Sequence, residues 1–366
     1  MKSGLRTYLK IGCYCGLSIL MMGCLQDDPL DANVSFIEAF DNNDGIITSL
    51  PQSEGMDAEA MVDIYTDVIN DEDLWSLRSM LVFRNNKLVT EAYPKQREDI
   101  NNQYIVWSCT KQVMGLLVGM ALDKGFISDI DDPISAYLNK ELEGYDDKKN
   151  ITIRQLLSMR SGIDYNNGEQ SDELIRKIPD NSVEFILSRP MRSPPGMEFN
   201  YSDANPHLLS AIIQKQTGMT TREWAEEQLF SRIGLEKYSW IEYKDGITMG
   251  GFGIATTARD LSKLALLVLN KGTWFSNTIV SSDWINEMTQ VQSQVDYLDY
   301  SFGYLWWIDE SRDIHFMWGV GGQLVFIIPS KSMVVTFTAF PNTKGKYEIM
   351  PEEVLPYVDR LVDAAN

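Results

Sequence analysis

The segment YIVWSCTKQVMGLLVGMALDKG, residues 104–125, constrains the fold more than any other stretch of the chain. Val113, Leu116, Leu117, Met120 and Ala121 recur at helical spacing, and Met114, Val118 and Leu122 fill the opposite side. A helix apolar all round lies in the core of a large protein. Gly115 and Gly119 imply neighbours packed close against it. Lys111 stands at the mouth of this helix. An ammonium there is costly unless it is paired or loses its proton.

With 366 residues, 44% of them hydrophobic, the chain can bury such a helix, and its length allows one to three domains. The balance of 32 basic against 52 acidic residues gives a net charge of −20. That excludes an extensive phosphate-binding surface, and no nucleic acid partner is expected.

The N-terminus is read as a targeting segment. Lys2, Arg6 and Lys10 precede the apolar stretch IGCYCGLSILMMG, which ends at Cys24. Basic start, short apolar middle and a small residue before the cut describe a secretory signal, too short to span a bilayer comfortably. The ending LMMGC resembles a bacterial lipobox, which implies cleavage after residue 23 and lipidation of Cys24. The acidic lead QDDPLD then resembles the export tags of surface lipoproteins. The expected location is therefore an exported bacterial lipoprotein, periplasmic or on the outer membrane or cell surface. The expected organisation is a signal at 1–23, a tether at 24–50 that ends in a docking segment, and a folded domain at 51–366. Cys109 is the one cysteine left in that domain, so no internal disulfide is expected.

Within the domain, DAEAMVDIYTDVIND (57–71) has helical spacing, and SMLVFRNNKLVTEAYP (79–94) reads as two strands joined at Asn85-Asn86. Residues 126–250 read as mainly helical, and TARDLSKLALLVLNKG (257–272) as a further helix. Strand text returns at 301–308, 313–319, 322–330 and 333–340, before a closing helix that starts at Pro351. Strands at both chain ends around a helical middle imply an α+β architecture. One antiparallel sheet built from both termini is flanked by helices, and residues 126–250 form a second, mainly helical lobe. DNNDGIITS (41–49) is a polar turn and not a calcium loop, because Gly45 falls one position too early for an EF-hand.

Ser108 and Lys111 lie three residues apart and share a face on the first turn of the central helix. A serine hydroxyl needs a base, and a lysine whose pKa is lowered by burial can serve as one. The helix N-terminus adds positive potential for an oxyanion. Cys109 points about 100° away round the helix, which suits a small buried hydrophobe better than a nucleophile. His207 and His315 are the only histidines, and no serine sits in a G-x-S-x-G elbow, so a Ser-His-Asp triad is not expected.

S-x-x-K alone is a weak signal, but two further segments accompany it. PPGMEFNYSDANPHLLSAIIQKQTG (194–218) sets Tyr201 in a turn before a helix, and MWGVGGQLVFIIP (317–329) sets a glycine-rich turn before a strand. Together they resemble the penicillin-recognising serine hydrolases: class C β-lactamases, D-alanyl-D-alanine peptidases, related esterases and 6-aminohexanoate-dimer hydrolases. The resemblance spans roughly residues 50 to 360 and implies the β-lactamase/transpeptidase-like fold.

It also implies roles. Ser108 is the nucleophile, Lys111 the base and Tyr201 the proton relay, in the order of the family's motifs. Asp203 replaces the usual asparagine, where a carboxylate would hold Lys111 protonated or bind a cationic substrate group. The third motif aligns with Met317-Trp318-Gly319, so its basic residue is missing, and His315 on the same strand face is the only substitute nearby. Ser108 and Val320 would supply the oxyanion N–H donors. Gly319, Gly321, Gly322 and Gln323 would shape that turn, and Trp318 would line the substrate pocket or pack. No metal or cofactor is implied. The expected partner is a small ester or amide, with a β-lactamase or D-Ala-D-Ala carboxypeptidase as the alternative. A binding or sensing lipoprotein with a decayed site is the alternative of another class.

Overall fold

The computed structural model describes residues 39–171, 180–340 and 348–366. Cys24 and the expected signal lie outside the described residues. The first helix, α1 (Ala58–Asn70), is capped by the Asp57 carboxylate, which accepts from the Glu59 and Ala60 amides. Strands β1 (Leu77–Arg84) and β2 (Lys87–Ala92) form the expected hairpin. Asn85 and Asn86 both take positive φ, 51° and 65°, the geometry of a two-residue turn matched to strand twist. The short β3 (Tyr104–Ile105) leads to α2 (Cys109–Asp123), buried from Cys109 through Ala121.

The helical lobe follows, with α3 (Ile153–Leu157), α4 (Ser182–Leu187), α5 (Ala204–Thr217) and α6 (Thr221–Ala225). It closes with β4 (Tyr238–Trp240) and β5 (Ile254–Thr256), which join β3 in a three-stranded sheet that the sequence did not announce. After α7 (Ala258–Leu269), a β6–β7 hairpin (Thr273–Trp274, Asn277–Thr278) and α8 (Ser282–Met288), the chain returns to the main sheet. It adds β8 (Ser293–Gln294), β9 (Ser301–Phe302), β10 (Trp307–Asp309), β11 (Ile314–Gly319), β12 (Gln323–Ile328) and β13 (Met333–Ala339), then α9 (Pro351–Asp363).

The main sheet has eight strands in the order β2-β1-β13-β12-β11-β10-β9-β8, antiparallel throughout. The N-terminal hairpin therefore pairs directly with the last strand, as expected of a sheet built from both termini. Register shows which helix covers which face. Leu81, Glu91 and Thr336 are cross-strand neighbours and share one face, where Ser262 of α7 meets Thr336 at 2.7 Å. Val82, Thr90 and Val335 share the other, where Tyr65 of α1 meets Thr90 at 2.8 Å. The sheet is thus covered on both sides.

Two sequence readings need correction. Residues 301–308 are not one strand. Gly303 to Trp306 make a turn between β9 and β10, with Leu305 at φ 63°. Tyr304, Leu305 and Trp306 are fully buried, and the Gln112 amide of α2 donates to the Leu305 carbonyl at 2.6 Å. A turn buried in the core carries no polar signal. Nor does the tether run to residue 50. Arg259 of α7 donates to the Phe40 carbonyl at 2.8 Å and pairs with Asp44 and the buried Glu91. Ile46 is buried and Thr48 bridges Leu88. Residues from 39 onward belong to the domain, and Asp44, an acid of the rejected calcium loop, anchors them.

Gly119 explains the close packing around α2, because a Cβ there would lie 2.0 Å from the Trp284 ring of α8. Alanine gains about 1 kcal/mol of helix propensity over glycine, but forcing a ring from a packed core costs typically 1–3 kcal/mol. Gly119→Ala is expected to lower the unfolding free energy by a net amount on the order of 1 kcal/mol, seen as a lower urea midpoint; an unchanged or higher midpoint would show that Trp284 yields freely.

Candidate active site

Three segments converge at the mouth of α2. The first is the turn before the helix. Val106 donates its N–H to the Ile254 carbonyl at 2.8 Å, tying the turn to the small sheet. Trp107, a non-glycine residue at φ 49°, reverses the chain so that Ser108 opens the helix. Such a conformation persists only where its surroundings enforce it, and it is found most often at functional sites. Ser108 remains half-buried, while Cys109, Thr110 and Lys111 are sealed.

The second segment is the start of α5. The Lys111 Nζ donates to Ser108 Oγ at 2.9 Å, to the Gly251 carbonyl at 2.8 Å and to Asp203 Oδ1 in a short ion pair. The ammonium thus spends its three protons on three acceptors. Asp203 is itself fixed, since its second oxygen accepts from the Ser171 hydroxyl and its N–H donates to Asn167 Oδ1 at 2.8 Å. Burial is the largest influence on Lys111 and opposes its charge, but the Asp203 carboxylate and Tyr201 together outweigh it and the pKa is raised. The expected lysine of depressed pKa is therefore not found. Of the two roles open to Asp203, the structure gives it the one of holding Lys111 protonated.

Tyr201 precedes α5 by three residues. Its ring lies against Trp307 and Phe302, at centroid distances of 5.2 and 6.0 Å, and 4.9 Å from the Lys111 ammonium. Burial raises its pKa, while the Lys111 charge and a hydrogen bond from Ser108 pull it back without cancelling the rise. At neutral pH it is a phenol in reach of both Ser108 and Lys111.

The third segment is the β11–β12 turn, Val320 to Gly322, with Gly321 and Gly322 at φ 85° and 86°. A Cβ on Gly319 would stand 2.2 Å from the Val106 carbonyl, so only glycine lets this turn lie beside Ser108. Among the described residues, neither the Ser108 nor the Val320 N–H donates to a backbone carbonyl of a turn or loop. Val320 is exposed.

The remaining expected residues sort differently. Trp318 packs against Trp307 at 5.2 Å, in the aromatic wall that also orients Tyr201. Gln323 does not face substrate: it is 1% exposed and its amide donates to the Ala339 carbonyl at 2.7 Å. Met317 is buried, so no cation enters from the third motif. His315 does not replace it. It lies four residues from Gly319 along an extended strand, roughly 13 Å away, and the charges near it are Asp313 and Lys271. Cys109 donates to the Gln323 carbonyl at 3.4 Å, and burial pushes its thiol well above the usual range. His207 is 2% exposed, with its pKa pushed down to about 4 by burial. Its partner Ser182 is bonded to Asp245 as well, so serine and not histidine is the middle member of the three. That order, and the burial of Ser182 and His207, rule out a catalytic triad.

Sequence reading missed four residues. Gly251 supplies the carbonyl on Lys111, and a Cβ there would meet Asp203 at 2.6 Å. Glu348, whose carboxyl burial pushes up to about 7, takes hydrogen bonds from the Gly321 N–H and the Trp318 indole beside the turn. Arg160 and Arg192 share a cleft with Tyr201. None of these residues carries a motif around it.

The family model for beta-lactamase matches residues 78–350. The chain belongs to the beta-lactamase family. This is a family of hydrolases, and the matched region holds every residue of the site described above. A 6-aminohexanoate-dimer hydrolase of Paenarthrobacter ureafaciens is 24% identical over 315 residues, covering 78% of this chain and 79% of that protein. An octameric penicillin-binding protein homologue from Pyrococcus abyssi superposes with a TM-score of 0.67 at 17% identity, over 84% of this chain and 78% of the other. A D-stereospecific amidohydrolase from Streptomyces gives a TM-score of 0.61 at 17% identity, over 84% and 98%. At these identities the two structures establish the shared fold.

Removing the charge of Asp203 leaves an ammonium buried without its counter-ion, which costs about 3–5 kcal/mol. Asp203→Asn is expected to lose stability of that order in denaturant melts at pH 7. The pH dependence has a definite sign. Because the folded pKa of Lys111 is raised, its contribution in the wild type is complete below the unfolded value of about 10.4 and is lost only as pH rises through the higher folded value. A wild-type melt that weakens between pH 7 and 9 through this pair would contradict the assignment.

Proposed function

We propose that the protein is a serine hydrolase that opens a small ester or open-chain amide through an acyl-enzyme on Ser108. The carrying observation is a half-buried hydroxyl held 2.9 Å from a sealed ammonium, with a phenol in reach of both. Lys111 stays charged and acts electrostatically, favouring the Tyr201 phenolate and the alkoxide of Ser108. Tyr201, as phenolate, takes the Ser108 proton while Oγ attacks the carbonyl carbon. The N–H groups of Ser108 and Val320 receive the oxyanion, at a few kcal/mol per donor. The intermediate collapses, Tyr201 passes its proton to the leaving oxygen or nitrogen, and the acyl group stays on Oγ. Water then attacks the acyl carbon and again loses a proton to Tyr201; the bond from that carbon to Oγ breaks, Tyr201 gives the proton to Ser108 Oγ, and the acid departs. The proton acceptor first read as Lys111 is thus reassigned to Tyr201.

Buried Met317 supports open substrates over β-lactams, whose carboxylate needs a cation at that slot. The similarity to a 6-aminohexanoate-dimer hydrolase supports the amide reading. We also read Cys24 as the lipidated residue of an exported lipoprotein; radiolabelled palmitate incorporated by the wild type and not by Cys24→Ala would establish the anchor.

The decisive assay is intact mass after a fluorophosphonate and, separately, a penicillin. A fluorophosphonate adduct lost in Ser108→Ala is expected, with no penicillin adduct; none from either probe in folded protein would favour a binding protein. Against a 4-nitrophenyl ester, Ser108→Ala should lose at least about 10³-fold in kcat. Because the reactive phenolate is scarce at neutrality, kcat/KM should climb steadily from pH 6 to pH 9 or beyond. A plateau near pH 7 would restore a neutral lysine as base.

A further inference from the structure

Beside Tyr201 lies a cleft of about 640 Å³ that opens between the helical lobe and the β8–β9 edge of the main sheet. Arg160 and Arg192 line it, together with Phe199, Tyr297 and Asp296. Backbone geometry couples it to the reacting residues. Met159 takes φ 58°, and its carbonyl accepts the Asn200 N–H at 2.8 Å, one residue before Tyr201. Arg160 and Tyr201 therefore leave the same backbone contact. Tyr201, Arg192 and Tyr297 line this one space together.

The two arginines are not equivalent. Arg192 is exposed and engaged by Glu198 at 3.3 Å and by Asn200 at 3.2 Å. Arg160 is half-buried, and among the described residues no carboxylate pairs with it. One of its Nη2 protons goes to the Met197 carbonyl at 3.2 Å, while its Nε is buried with no partner. A buried donor left unmet is costly and calls for an acceptor, whereas the Asp296 carboxylate is open to solvent. A guanidinium with no carboxylate of its own, facing a cleft that also holds Phe199, Tyr201 and Tyr297, suits a carboxylate ligand.

We infer that Arg160, assisted by Arg192 at the rim, binds a carboxylate at the far end of the substrate, distant from the scissile bond. The inference rests on the hydrolase reading above and names its substrate class: an ester or amide whose chain ends in an acid. It also accounts for the third motif, whose cation would have gripped a carboxylate near the reacting carbonyl. Here recognition has moved to the other side of Tyr201. On a chain of net charge −20, an acidic substrate needs such a local cation to overcome the general repulsion.

The test compares 4-nitrophenyl hemiglutarate with 4-nitrophenyl butyrate, matched in chain length and differing in the terminal carboxylate. Wild type should favour the hemiglutarate in kcat/KM at low salt. Arg160→Gln should lower that ratio at least tenfold, chiefly through KM, and Arg160→Lys should restore part of it. Binding is measured separately by calorimetry in the Ser108→Ala protein, with glutaric acid monoanilide against butyranilide. The acid should bind more tightly, and the difference should vanish when Arg160→Gln is added. A ratio unmoved by Arg160→Gln, or equal binding of acid and neutral anilide, would overturn the subsite. If neither ester is hydrolysed but the acid anilide binds through Arg160, the hydrolase reading fails and the carboxylate site stands. If both esters are hydrolysed without discrimination, the reverse holds.

Discussion

The ion pair between Lys111 and Asp203 is the contact on which the site depends. It joins the central helix to the start of α5, and through Gly251, Ser171 and Asn167 it fixes two loops of the helical lobe as well. A sealed ammonium must satisfy every proton it carries, so the surrounding chain has little freedom. The same pair bears on the proposed chemistry, because a lysine held charged is a poor resting base, and that is why the proposed mechanism gives the proton to Tyr201. A lysine sealed at the head of a buried helix is tolerated here because the fold brings it a carboxylate, a carbonyl and a hydroxyl.

Close backbone approach is the second requirement. Gly251 lets a carbonyl reach Lys111 without striking Asp203, and Gly319 lets the β11–β12 turn sit against Val106. Trp107 and Met159 meet the same need differently, by holding positive φ without being glycine. Both lie next to residues proposed to meet substrate, Ser108 and Arg160. The aromatic wall of Trp307, Phe302 and Trp318 supplies rigidity from the opposite side and fixes the Tyr201 ring.

Two other groups with nucleophilic potential are packing residues. Cys109 is kept a neutral thiol by burial, and the Ser182–His207 contact is sealed in the helical lobe with serine as its central member. Side-chain type alone would not have separated them from Ser108. What differs is access, since Ser108 alone among them is not fully buried.

The sequence by itself determined the buried α2, the sheet built from both termini, the hairpin at Asn85-Asn86 and the family motifs at Ser108, Lys111 and Tyr201. These features are periodic or local, and local physics writes them into a few adjacent residues. It did not reveal the buried turn at Tyr304 to Trp306, because apolar residues in a core turn look like strand. Nor did it show where within residues 24–50 docking begins, since the tie is the distant Arg259. The ion pair of Lys111 with Asp203, the packing of Gln323 and the place of Arg160 beside Tyr201 emerge only in three dimensions. Each depends on partners far along the chain: 92 residues from Lys111 to Asp203, and 140 to Gly251. A charge state is a property of the assembled neighbourhood, and no spacing along the chain encodes it.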